Sequence, residues 1–484
     1  MSEKHAVIFD YDPRRRQAIM QGSHFVEIRE HFSVANEAAK FARFRNRFTP
    51  SRKYVITPQG RFDPGLYFEI SGYIRNRAPE TKIHVRDPLR EVVYPSYKGI
   101  KPVNDILSYE LRDYQEEIVN ISLKMGRGVT VLATAGGKTL TIANLIQSVY
   151  EKNKTLKCLI IVPDLGLVNQ TYSDFIDYGT TFSYSKWTGS DKLNPGSNVI
   201  IANTGILQSS KSDVSWTQDV DMLIIDEVHK LRKSNKINNI VKKIRTNNKF
   251  GFTGTLPEEQ IDQWNIIGKI GPILYEKNSF QLRKQQYVAK AQVQVVKIEY
   301  KEKPPVFPAD RYNPSAKYRR EHQFLAKHPF RNGIISKLSE RFDNNCLIMV
   351  DYIEHGEELY GILRSACKDK QVFFIRGDVA VEEREKVKKL MEKSNSVVCI
   401  AISKIFSTGI NIKNLHYIVF AGGGKAKIKI IQSIGRGLRL HKDKKGVIII
   451  DIADMLYYSN QHYAKRLKLY KNEKIEYGIK KIKE

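Results

Sequence analysis

Two adjacent acidic residues, Asp226 and Glu227, end an apolar run over residues 220–225 that predicts a buried parallel strand. Carboxylates at the end of such a strand are costly unless they hold a cation or move a proton. We expect Asp226 to hold Mg²⁺ through water, and Glu227 to orient and deprotonate an attacking water molecule. His229 would couple this site to neighbouring loops, although a buried, hydrogen-bonded imidazole is the alternative.

A glycine-rich turn lies 88 residues upstream of Asp226 and opens a helix. Gly136 and Gly137 precede Lys138 and Thr139, directly after a strand predicted over residues 129–132. The free backbone N–H groups of such a turn and the helix dipole both face a bound phosphate. Lys138 would contact the β- and γ-phosphates, and the Thr139 hydroxyl would ligate Mg²⁺. The two sites together are what ATP hydrolysis requires.

The turn departs from the strict eight-residue phosphate-loop pattern. Leu132 stands six residues before Lys138, where the pattern has glycine, and Ala135 stands where glycine is common. These departures concern the geometry of the loop and leave its function intact. Thr134 is expected to contact the nucleotide from the same loop.

Two further segments carry side chains suited to a nucleotide. The amide of Gln115 can read both the donor and the acceptor of an adenine edge, and Arg112 can stack on the ring. Arg436 and Arg439 are three residues apart, so on a helix they share a face. Arginines aimed at a γ-phosphate stabilise phosphoryl transfer by a factor on the order of 10³–10⁵. A basic surface helix is the alternative for this pair.

A turn of small residues follows the apolar strand predicted over residues 397–401. Ser407, Thr408 and Gly409 offer hydroxyl and backbone N–H groups to the phosphates of a nucleic-acid strand or of ATP. Gly409 and Gln432 are the residues that we expect to contact the nucleotide, and Ser407 and Thr408 those that we expect to contact DNA.

The composition indicates a folded, basic protein. The 484 residues suggest about three domains. The net charge of +28 argues for a polyanionic partner, and with an ATP site we expect nucleic acid. No apolar run is long enough to cross a membrane. Four scattered cysteines without metal-site spacing indicate reduced core residues of a cytoplasmic protein.

The first 100 residues carry 18 Lys and Arg against 11 Asp and Glu. Strands are predicted over residues 6–10, 54–57 and 66–70 of this small α+β module. A run over residues 40–53 has six basic residues and no acid, interleaved with phenylalanines. On a strand the arginines two residues apart share one face, which indicates a DNA-contacting surface rather than an ordinary solvated strand. The expected contacts are Arg43, Arg45, Arg47, Arg52 and Lys53.

Strand and helix patterns then alternate twice, which predicts two parallel sheets. Further strands are predicted over residues 158–162, 199–202, 222–225, 250–253, 346–350, 372–375, 397–401, 417–420 and 447–450. The fold class is α/β, with two tandem parallel-sheet domains and a small N-terminal α+β module. The expected domains are the basic DNA-binding module at 1–100, the ATP-binding domain at 101–285, an irregular interdomain segment at 286–330, the second parallel-sheet domain at 331–455 and a basic helical tail at 456–484.

The set of motifs resembles the superfamily 2 helicases over about residues 105–455. The order is the same: phosphate loop, Asp-Glu-Val-His, Thr-Gly-Thr at 253–255, Ser-Thr-Gly at 407–409 and the Gln-x-x-Gly-Arg-x-x-Arg segment at 432–439. Within them the chain is similar to the UvsW-type phage helicases, which implies DNA unwinding and branch migration of forks and Holliday junctions. The resemblance implies that the two parallel-sheet domains are tandem RecA-like motor domains. It implies Thr253 and Thr255 as couplers between ATP and DNA. It also implies strand contacts from Pro163, Gln170 and Thr204, besides Ser407 and Thr408.

The sequence therefore predicts an ATP- and Mg²⁺-dependent DNA helicase, with the two motor domains facing each other across ATP. We expect a monomer that acts on branched DNA in replication, recombination and repair, in the host bacterial cytoplasm if a phage encodes it. Single-strand-binding or recombination proteins are expected partners. An RNA helicase and a duplex DNA translocase of a larger complex are the alternatives, and a binding protein with a decayed motor is disfavoured by the intact catalytic residues. The strand-separating wedge falls in either segment 286–330 or the N-terminal module.

Overall fold

The computed structural model forms two compact units, one of residues 1–132 with 137–276 and one of residues 133–136 with 277–484. The structure describes residues 6–37, 39, 49–133, 136–231, 236–285, 290–305, 307, 313–377, 379, 381–403, 412, 414–422, 446–472 and 474–484. Among these residues, no helix is both long and apolar enough to span a bilayer. All four cysteines fall within the described ranges, where they are buried and carry free thiols.

The first unit begins with a small α+β module built on a four-stranded sheet of order β5-β2-β1-β6. Strands β1 and β2 are antiparallel, whereas β1 and β6 are parallel. Strands β3 and β4 form a separate antiparallel pair. The elements are β1 (Ala6–Asp12), β2 (Gln17–Gly22), α1 (Phe25–His31), β3 (Ser33–Ala35), β4 (Arg52–Tyr54), β5 (Arg61–Phe62), a 3₁₀ turn (Pro64–Leu66), α2 (Tyr67–Arg77), β6 (Lys82–Val85) and α3 (Asp87–Val93).

The rest of the first unit is a seven-stranded sheet of order β13-β7-β12-β11-β8-β10-β9. The pairings from β7 to β9 are all parallel. Its elements are α4 (Asp113–Met125), β7 (Gly128–Leu132), α5 (Lys138–Lys152), β8 (Cys158–Val162), α6 (Leu165–Asp177), β9 (Tyr184–Trp187), β10 (Val199–Asn203), α7 (Thr204–Gln208), a 3₁₀ turn (Ser215–Asp219), β11 (Met222–Asp226), a 3₁₀ turn (Val228–Lys230), α8 (Lys236–Lys243), β12 (Lys249–Thr253), α9 (Gln260–Ile270) and β13 (Ile273–Lys277).

The second unit is a parallel sheet of order β16-β17-β15-β18-β19-β14-β20. Its elements are α10 (Ser279–Lys284), β14 (Lys290–Glu299), α11 (Pro314–Lys327), α12 (Pro329–Arg341), β15 (Cys346–Val350), α13 (Ile353–Ala366), β16 (Gln371–Ile375), α14 (Val381–Lys393), β17 (Val397–Ile402), β18 (Tyr417–Phe420), β19 (Gly446–Asp454), α15 (Tyr457–Asn472) and β20 (Glu476–Lys483).

The predicted fold class is confirmed. Two parallel seven-stranded sheets carry helices as tandem RecA-like domains do, and the ten predicted strands of these sheets all occur. Their apolar runs are long because helices on both faces leave no solvent-facing side. Strands β7, β8, β15 and β17 accordingly consist almost wholly of buried residues.

Four local predictions were wrong. The strand expected over residues 66–70 is instead the start of α2, because the buried residues Tyr67, Ile70 and Ile74 follow a helical period. The strand expected over 54–57 ends at Tyr54. Residues 290–299 of the segment expected to be irregular form β14, and residues 476–483 of the tail expected to be helical form β20.

Buried charged side chains join the N-terminal module to the first motor sheet. Arg127 lies between α4 and β7 and donates to the carbonyl oxygens of Val92, Lys269 and Ile270 at 2.9, 3.0 and 2.8 Å. Burial lowers the pKa of Arg127 to about 10, so the guanidinium is charged at neutral pH. Lys269, which is buried, forms an ion pair with Asp63 of the module. The module and this sheet therefore share one interior.

The same interface excludes side chains at Gly65. A Cβ atom at this position would overlap the carbonyl oxygen of Ile267 in α9. At Gly72, in the middle of α2, a Cβ atom would meet nothing within 4 Å. The two glycines thus belong to one module but differ in the space around them.

We predict opposite effects of alanine at these two glycines. Gly65→Ala should lower the free energy of unfolding by about 1–3 kcal/mol, because the backbone of α9 must move. Gly72→Ala should raise it by about 0.4–1 kcal/mol, because alanine restricts the unfolded chain and fits the helix. Urea denaturation followed by circular dichroism measures both. Equal stability of Gly65→Ala and the wild type would contradict the packed interface.

Candidate active site

The predicted catalytic residues of the first unit meet at one edge of its sheet. Asp226 ends β11 and Thr253 ends β12, while the segment leading to Lys138 follows β7. Because these strands are parallel, their carboxyl ends share one edge. The order β7-β12-β11 leaves a single strand between the one before the phosphate loop and the one that carries the carboxylates. The sheet thereby gathers residues that are distant in the sequence.

Asp226 and Glu227 lie in a tight turn at the end of β11. Glu227 adopts the left-handed conformation with φ 53°, and its backbone N–H donates to Asp226 Oδ1 at 2.8 Å. Glu227 Oε2 lies 3.1 Å from His229 Nδ1. A non-glycine residue in this conformation is strained, and such strain is common at active sites.

The two carboxyl groups have opposite pKa shifts. Burial and the Glu227 charge raise the pKa of Asp226 to about 6, against the lowering effect of Lys138. Burial acts to raise the pKa of Glu227 as well, but the Lys138 ammonium and the adjacent His229 imidazole lower that pKa to about 2. Glu227 is therefore ionised at neutral pH. Separated pKa values in adjacent carboxyl groups are typical of catalytic sites.

The phosphate-loop lysine opens α5 after a left-handed glycine. Gly137 has φ 79°, and a Cβ atom there would overlap the Gln115 amide. Gln115 is only 2% exposed; its Nε2 donates to the Gly137 carbonyl oxygen at 3.2 Å, and its Oε1 accepts from the Arg112 backbone N–H at 2.9 Å. Lys138 Nζ lies 3.5 Å from the Leu132 carbonyl oxygen. Gln115 thus contacts both Arg112 and the glycine before Lys138. That Gln115 and Arg112 contact adenine stays a prediction.

Buried contacts join Glu227 to the Thr-Gly-Thr segment, and two of them are hydrogen bonds. His229 Nδ1 lies 2.8 Å from Thr253 Oγ1, and Thr253 Oγ1 donates to the Thr255 carbonyl oxygen at 2.8 Å. Since the Thr253 proton is used in that second bond, its oxygen accepts the proton of His229 Nδ1. The three residues expected to couple the sites are therefore in direct contact. Their role in coupling stays a prediction.

The predicted strand-contact residues of the first unit lie at the same edge. Thr204 Oγ1 donates to the Pro163 carbonyl oxygen at 3.0 Å, across the ends of the paired strands β8 and β10. Gln170 lies on α6, which begins two residues after Pro163. In the N-terminal module, Arg52 Nε donates to Ser33 Oγ at 2.8 Å, whereas Lys53 is exposed. Their contact with DNA is untested.

Several predicted residues lie outside the described part of the chain. They are Arg43, Arg45, Arg47, Thr134, Ser407, Thr408, Gly409, Gln432, Arg436 and Arg439. Their assignments therefore stay as the sequence predicts them.

The residues present fit a Mg²⁺ ion. Asp226 has a raised pKa beside a second carboxylate, so additional positive charge would stabilise its ionised form. The described residues contain no group of three His, Cys, Asp or Glu side chains that would enclose a metal. Mg²⁺ sites of phosphoryl-transfer enzymes typically use one or two carboxylates, waters and the phosphates themselves. Asp226 and the Thr139 hydroxyl are the protein groups that would hold the ion.

Two polar residues at this edge escaped sequence analysis. Asp164 caps α6 by accepting from the Leu167 backbone N–H at 3.2 Å, and Asn203 caps α7 through the Ile206 N–H at 3.4 Å. Both helices follow strands that end at the catalytic edge. An Asp or Asn before a helix is the ordinary N-cap signal, so the sequence did contain the pattern that identifies them.

The fold and this edge define a nucleotide-hydrolysing enzyme of the phosphate-loop motor class. Comparisons with known proteins agree. Residues 108–258 match the family described as type III restriction enzyme, res subunit, and residues 331–441 match the helicase conserved C-terminal domain.

Two curated proteins and one solved structure illustrate the likeness. The ATP-dependent DNA helicase uvsW of Enterobacteria phage T4 is 29% identical over 399 residues, which cover 76% of each chain. The DNA 3'-5' translocase XPB2 of Sulfurisphaera tokodaii is 25% identical over 377 residues, covering 70% of this chain and 81% of the relative. The DNA-bound type ISP restriction-modification enzyme LlaBIII superposes with a TM-score of 0.57 at 14% identity, covering 84% of this chain and 34% of that one. The chain belongs to the superfamily 2 helicases.

We predict that removing the two carboxylates changes stability in opposite directions. The raised pKa of Asp226 means that its charge destabilises the fold above pH 6, and that this penalty disappears as the pH falls towards 4. The lowered pKa of Glu227 means that its charge stabilises the fold above about pH 4.5. At pH 7 without nucleotide, the free energy of unfolding should therefore rise by about 2–3 kcal/mol in Asp226→Asn. It should fall by a similar amount in Glu227→Gln.

Chemical denaturation at pH 4.5, 5.5 and 7 tests both signs. The advantage of Asp226→Asn should grow between pH 4.5 and 7, whereas the deficit of Glu227→Gln should shrink over that range, because the Glu227 charge then repels an ionised Asp226. Both variants should lose ATPase activity. An Asp226→Asn protein less stable than the wild type at pH 7 would show that the Asp226 charge is not a penalty.

We predict that the hydroxyl of Thr253 is required for the chain of hydrogen bonds. Thr253→Val would leave the His229 N–H and the Thr255 carbonyl without this partner, so stability should fall by about 1–3 kcal/mol. Stimulation of ATPase activity by nucleic acid should also fall several-fold. Thr253→Ser keeps the hydroxyl and should restore stimulation, which steady-state ATPase assays with and without nucleic acid measure. Full stimulation in Thr253→Val would argue against coupling through this contact.

Proposed function

We propose that the chain is a DNA-stimulated ATPase and helicase that unwinds and branch-migrates forked or Holliday-junction DNA in replication, recombination and repair. The observation that carries this proposal is the buried path from Glu227 through His229 to Thr253. These contacts connect Glu227, the carboxylate expected to activate water, with the loop after β12. An enzyme that only hydrolyses nucleotides would not need such a connection. The named activity of the phage relative supports DNA as the substrate.

Different residues of the chain have different roles in ATP hydrolysis. Lys138 binds the β- and γ-phosphates, and Glu227, which is ionised at neutral pH, orients water and accepts its proton. Asp226 and Thr139 hold Mg²⁺, which supplies charge neutralisation at the phosphates when it is bound. Other nucleotide contacts come from Arg112, Gln115, Thr134, Gly136, Gly137, Gly409 and Gln432.

The second motor domain supplies the arginines of the reaction. Arg436 and Arg439 act on the nucleotide that Lys138 binds, stabilising the charge of phosphoryl transfer. ATP binding and hydrolysis then alternately favour two arrangements of the motor domains with different grips on the DNA strand. The matched C-terminal helicase family covers both arginines and supports this assignment.

DNA contacts come from two regions. Pro163, Gln170 and Thr204 of the first unit, with Ser407 and Thr408, contact one strand. The N-terminal module contacts the duplex or fork through Arg43, Arg45, Arg47, Arg52 and Lys53. The net charge of +28 supports a polyanionic partner, and Coulomb attraction to the phosphates makes such binding salt-dependent. We further propose that the protein works as a monomer in the cytoplasm, alongside single-strand-binding or recombination proteins.

A duplex DNA translocase is the second candidate function. The match of residues 108–258 to a restriction-enzyme subunit family and the named activity of the archaeal relative favour it. A translocase would hydrolyse ATP on plain duplex without separating strands. An RNA helicase is the third candidate, because the hydrolytic chemistry is the same.

We predict ATP-dependent unwinding of branched DNA, which a panel of substrates tests. Synthetic forks, Holliday junctions, duplexes with either overhang, blunt duplexes and RNA duplexes are compared, with Lys138→Ala as the control. The wild type should resolve forks and junctions fastest, and Lys138→Ala should bind DNA yet lose hydrolysis by at least about 10³-fold.

The panel separates the candidates. ATPase activity equally stimulated by RNA and DNA would overturn the DNA assignment. Hydrolysis on blunt duplex without strand separation would favour the translocase. Substantial ATPase activity in Lys138→Ala would overturn the active site itself.

A further inference from the structure

A basic cavity opens on the second unit, and its described lining includes none of the residues assigned above. Its volume is about 770 Å³, which is in the range of ligand-binding clefts. The start of α11, the start of α15 and the segment before α11 form its walls. Lining side chains used here are Lys303, Lys317, Arg320, Glu321, Tyr457 and Tyr458.

Tyr457 gives this cavity an available aromatic face. It is 71% exposed, although it is the first residue of α15 and its neighbour Tyr458 packs edge-on against it at 4.9 Å. Tyr458 in turn packs edge-on against Tyr318 at 5.5 Å. The backbone that carries Tyr457 is therefore fixed while its ring faces solvent. A single exposed aromatic residue is ordinary on a protein surface, so its surroundings decide its meaning.

Those surroundings are positively charged. Lys303, Lys317 and Arg320 line the cavity, and the Arg320 guanidinium lies 4.0 Å over the Phe307 ring. Among the described lining residues, the acid is Glu321, and its carboxylate already has partners. It accepts from the Tyr458 and Ser459 backbone N–H groups at 3.0 and 2.7 Å and from the Ser459 hydroxyl at 2.7 Å. Glu321 thereby caps the N-terminus of α15, and the three lining cations outnumber it.

We propose that this cavity binds an unpaired nucleotide of single-stranded DNA, with its base stacked on Tyr457 and its phosphates on Lys317, Lys303 and Arg320. An aromatic platform beside flexible cations is the combination by which proteins bind single strands without reading sequence. Duplex DNA does not satisfy the site, because its bases are already stacked on each other. The inference rests on the proposed function only in taking DNA as the nucleic acid.

Equilibrium binding with the full chain tests the site. Fluorescence anisotropy with a labelled oligothymidylate, and with a blunt duplex of the same length, is measured without nucleotide. Tyr457→Ala should weaken single-strand binding about tenfold and leave duplex binding within about twofold, because only the single strand offers a free base. Tyr457→Phe keeps the ring and should bind as the wild type does.

A charge variant and its matched control test the phosphate contact. Lys317→Ala should weaken single-strand binding and lower the slope of log affinity against log salt by about 0.7. Lys468→Ala removes the same charge from the exposed part of α15 outside the cavity and should change neither quantity appreciably. Photo-crosslinking with 5-bromodeoxyuridine in the oligonucleotide should label Tyr457, as peptide mass spectrometry detects.

The outcomes are distinguishable from failure of the proposed function. Basal ATPase activity and thermal unfolding of Tyr457→Ala should match the wild type, which excludes misfolding as the cause. If the wild type unwinds forks while Tyr457→Ala binds single strands equally well, the cavity assignment is overturned and the helicase assignment stands. If the wild type binds no DNA, both are overturned. Loss restricted to single-stranded RNA would overturn DNA as the occupant.

Discussion

The active site depends on the burial of two neighbouring carboxylates at the end of β11. Asp226 and Glu227 repel each other in a medium that solvates charge poorly, so the fold must supply positive charge beside them. Lys138 supplies it from the first turn of α5, and the strand order β7-β12-β11 brings that helix close enough. Glu227 is thereby held ionised, whereas the raised pKa of Asp226 shows that the charge is not fully balanced. The unbalanced carboxylate is what makes the site suited to a bound cation.

The histidine that lowers the pKa of Glu227 also connects the carboxylates with the end of β12. His229 contacts the carboxylate on one side and Thr253 on the other through the same ring nitrogen. The His229 ring therefore lies in contact with both Glu227 and Thr253. The segments after β8 and β10 meet at the same edge through the bond from Thr204 to Pro163. The carboxylates and the predicted strand-contact residues Pro163 and Thr204 thus lie along one edge of the sheet, because parallel strands end at the same edge.

Strands made of long apolar runs were predictable from the sequence, whereas strands defined mainly by their pairing with distant strands were not. The central strands were predictable because long runs such as Cys158–Val162 are buried on both faces. Strand β20 was not, because Glu476–Lys483 is an edge strand with four lysines or glutamates facing solvent, and only its pairing with β14 makes it a strand. Strand β14 was hidden for the same reason, since its partner β19 lies about 150 residues later. The identities of the site residues were predictable from the sequence, but the hydrogen bonds between them were not.

The position of the N-terminal module depends on hydrogen bonds from basic side chains that no sequence pattern signals. Arg16, in the turn between β1 and β2, donates to the carbonyl oxygens of Lys242, Lys243 and Ile244 at the end of α8. Lys249 at the start of β12 donates to Ile244 from the other side. Helix α8 follows the segment after His229, and β12 ends at Thr253, so both elements that Arg16 and Lys249 hold lead back to the carboxylates. Because Arg16 bonds three consecutive carbonyl oxygens at the end of α8, the module cannot shift relative to that helix without breaking these bonds. The module therefore moves with the first motor sheet as one body, and a DNA grip placed on it would follow the nucleotide site directly.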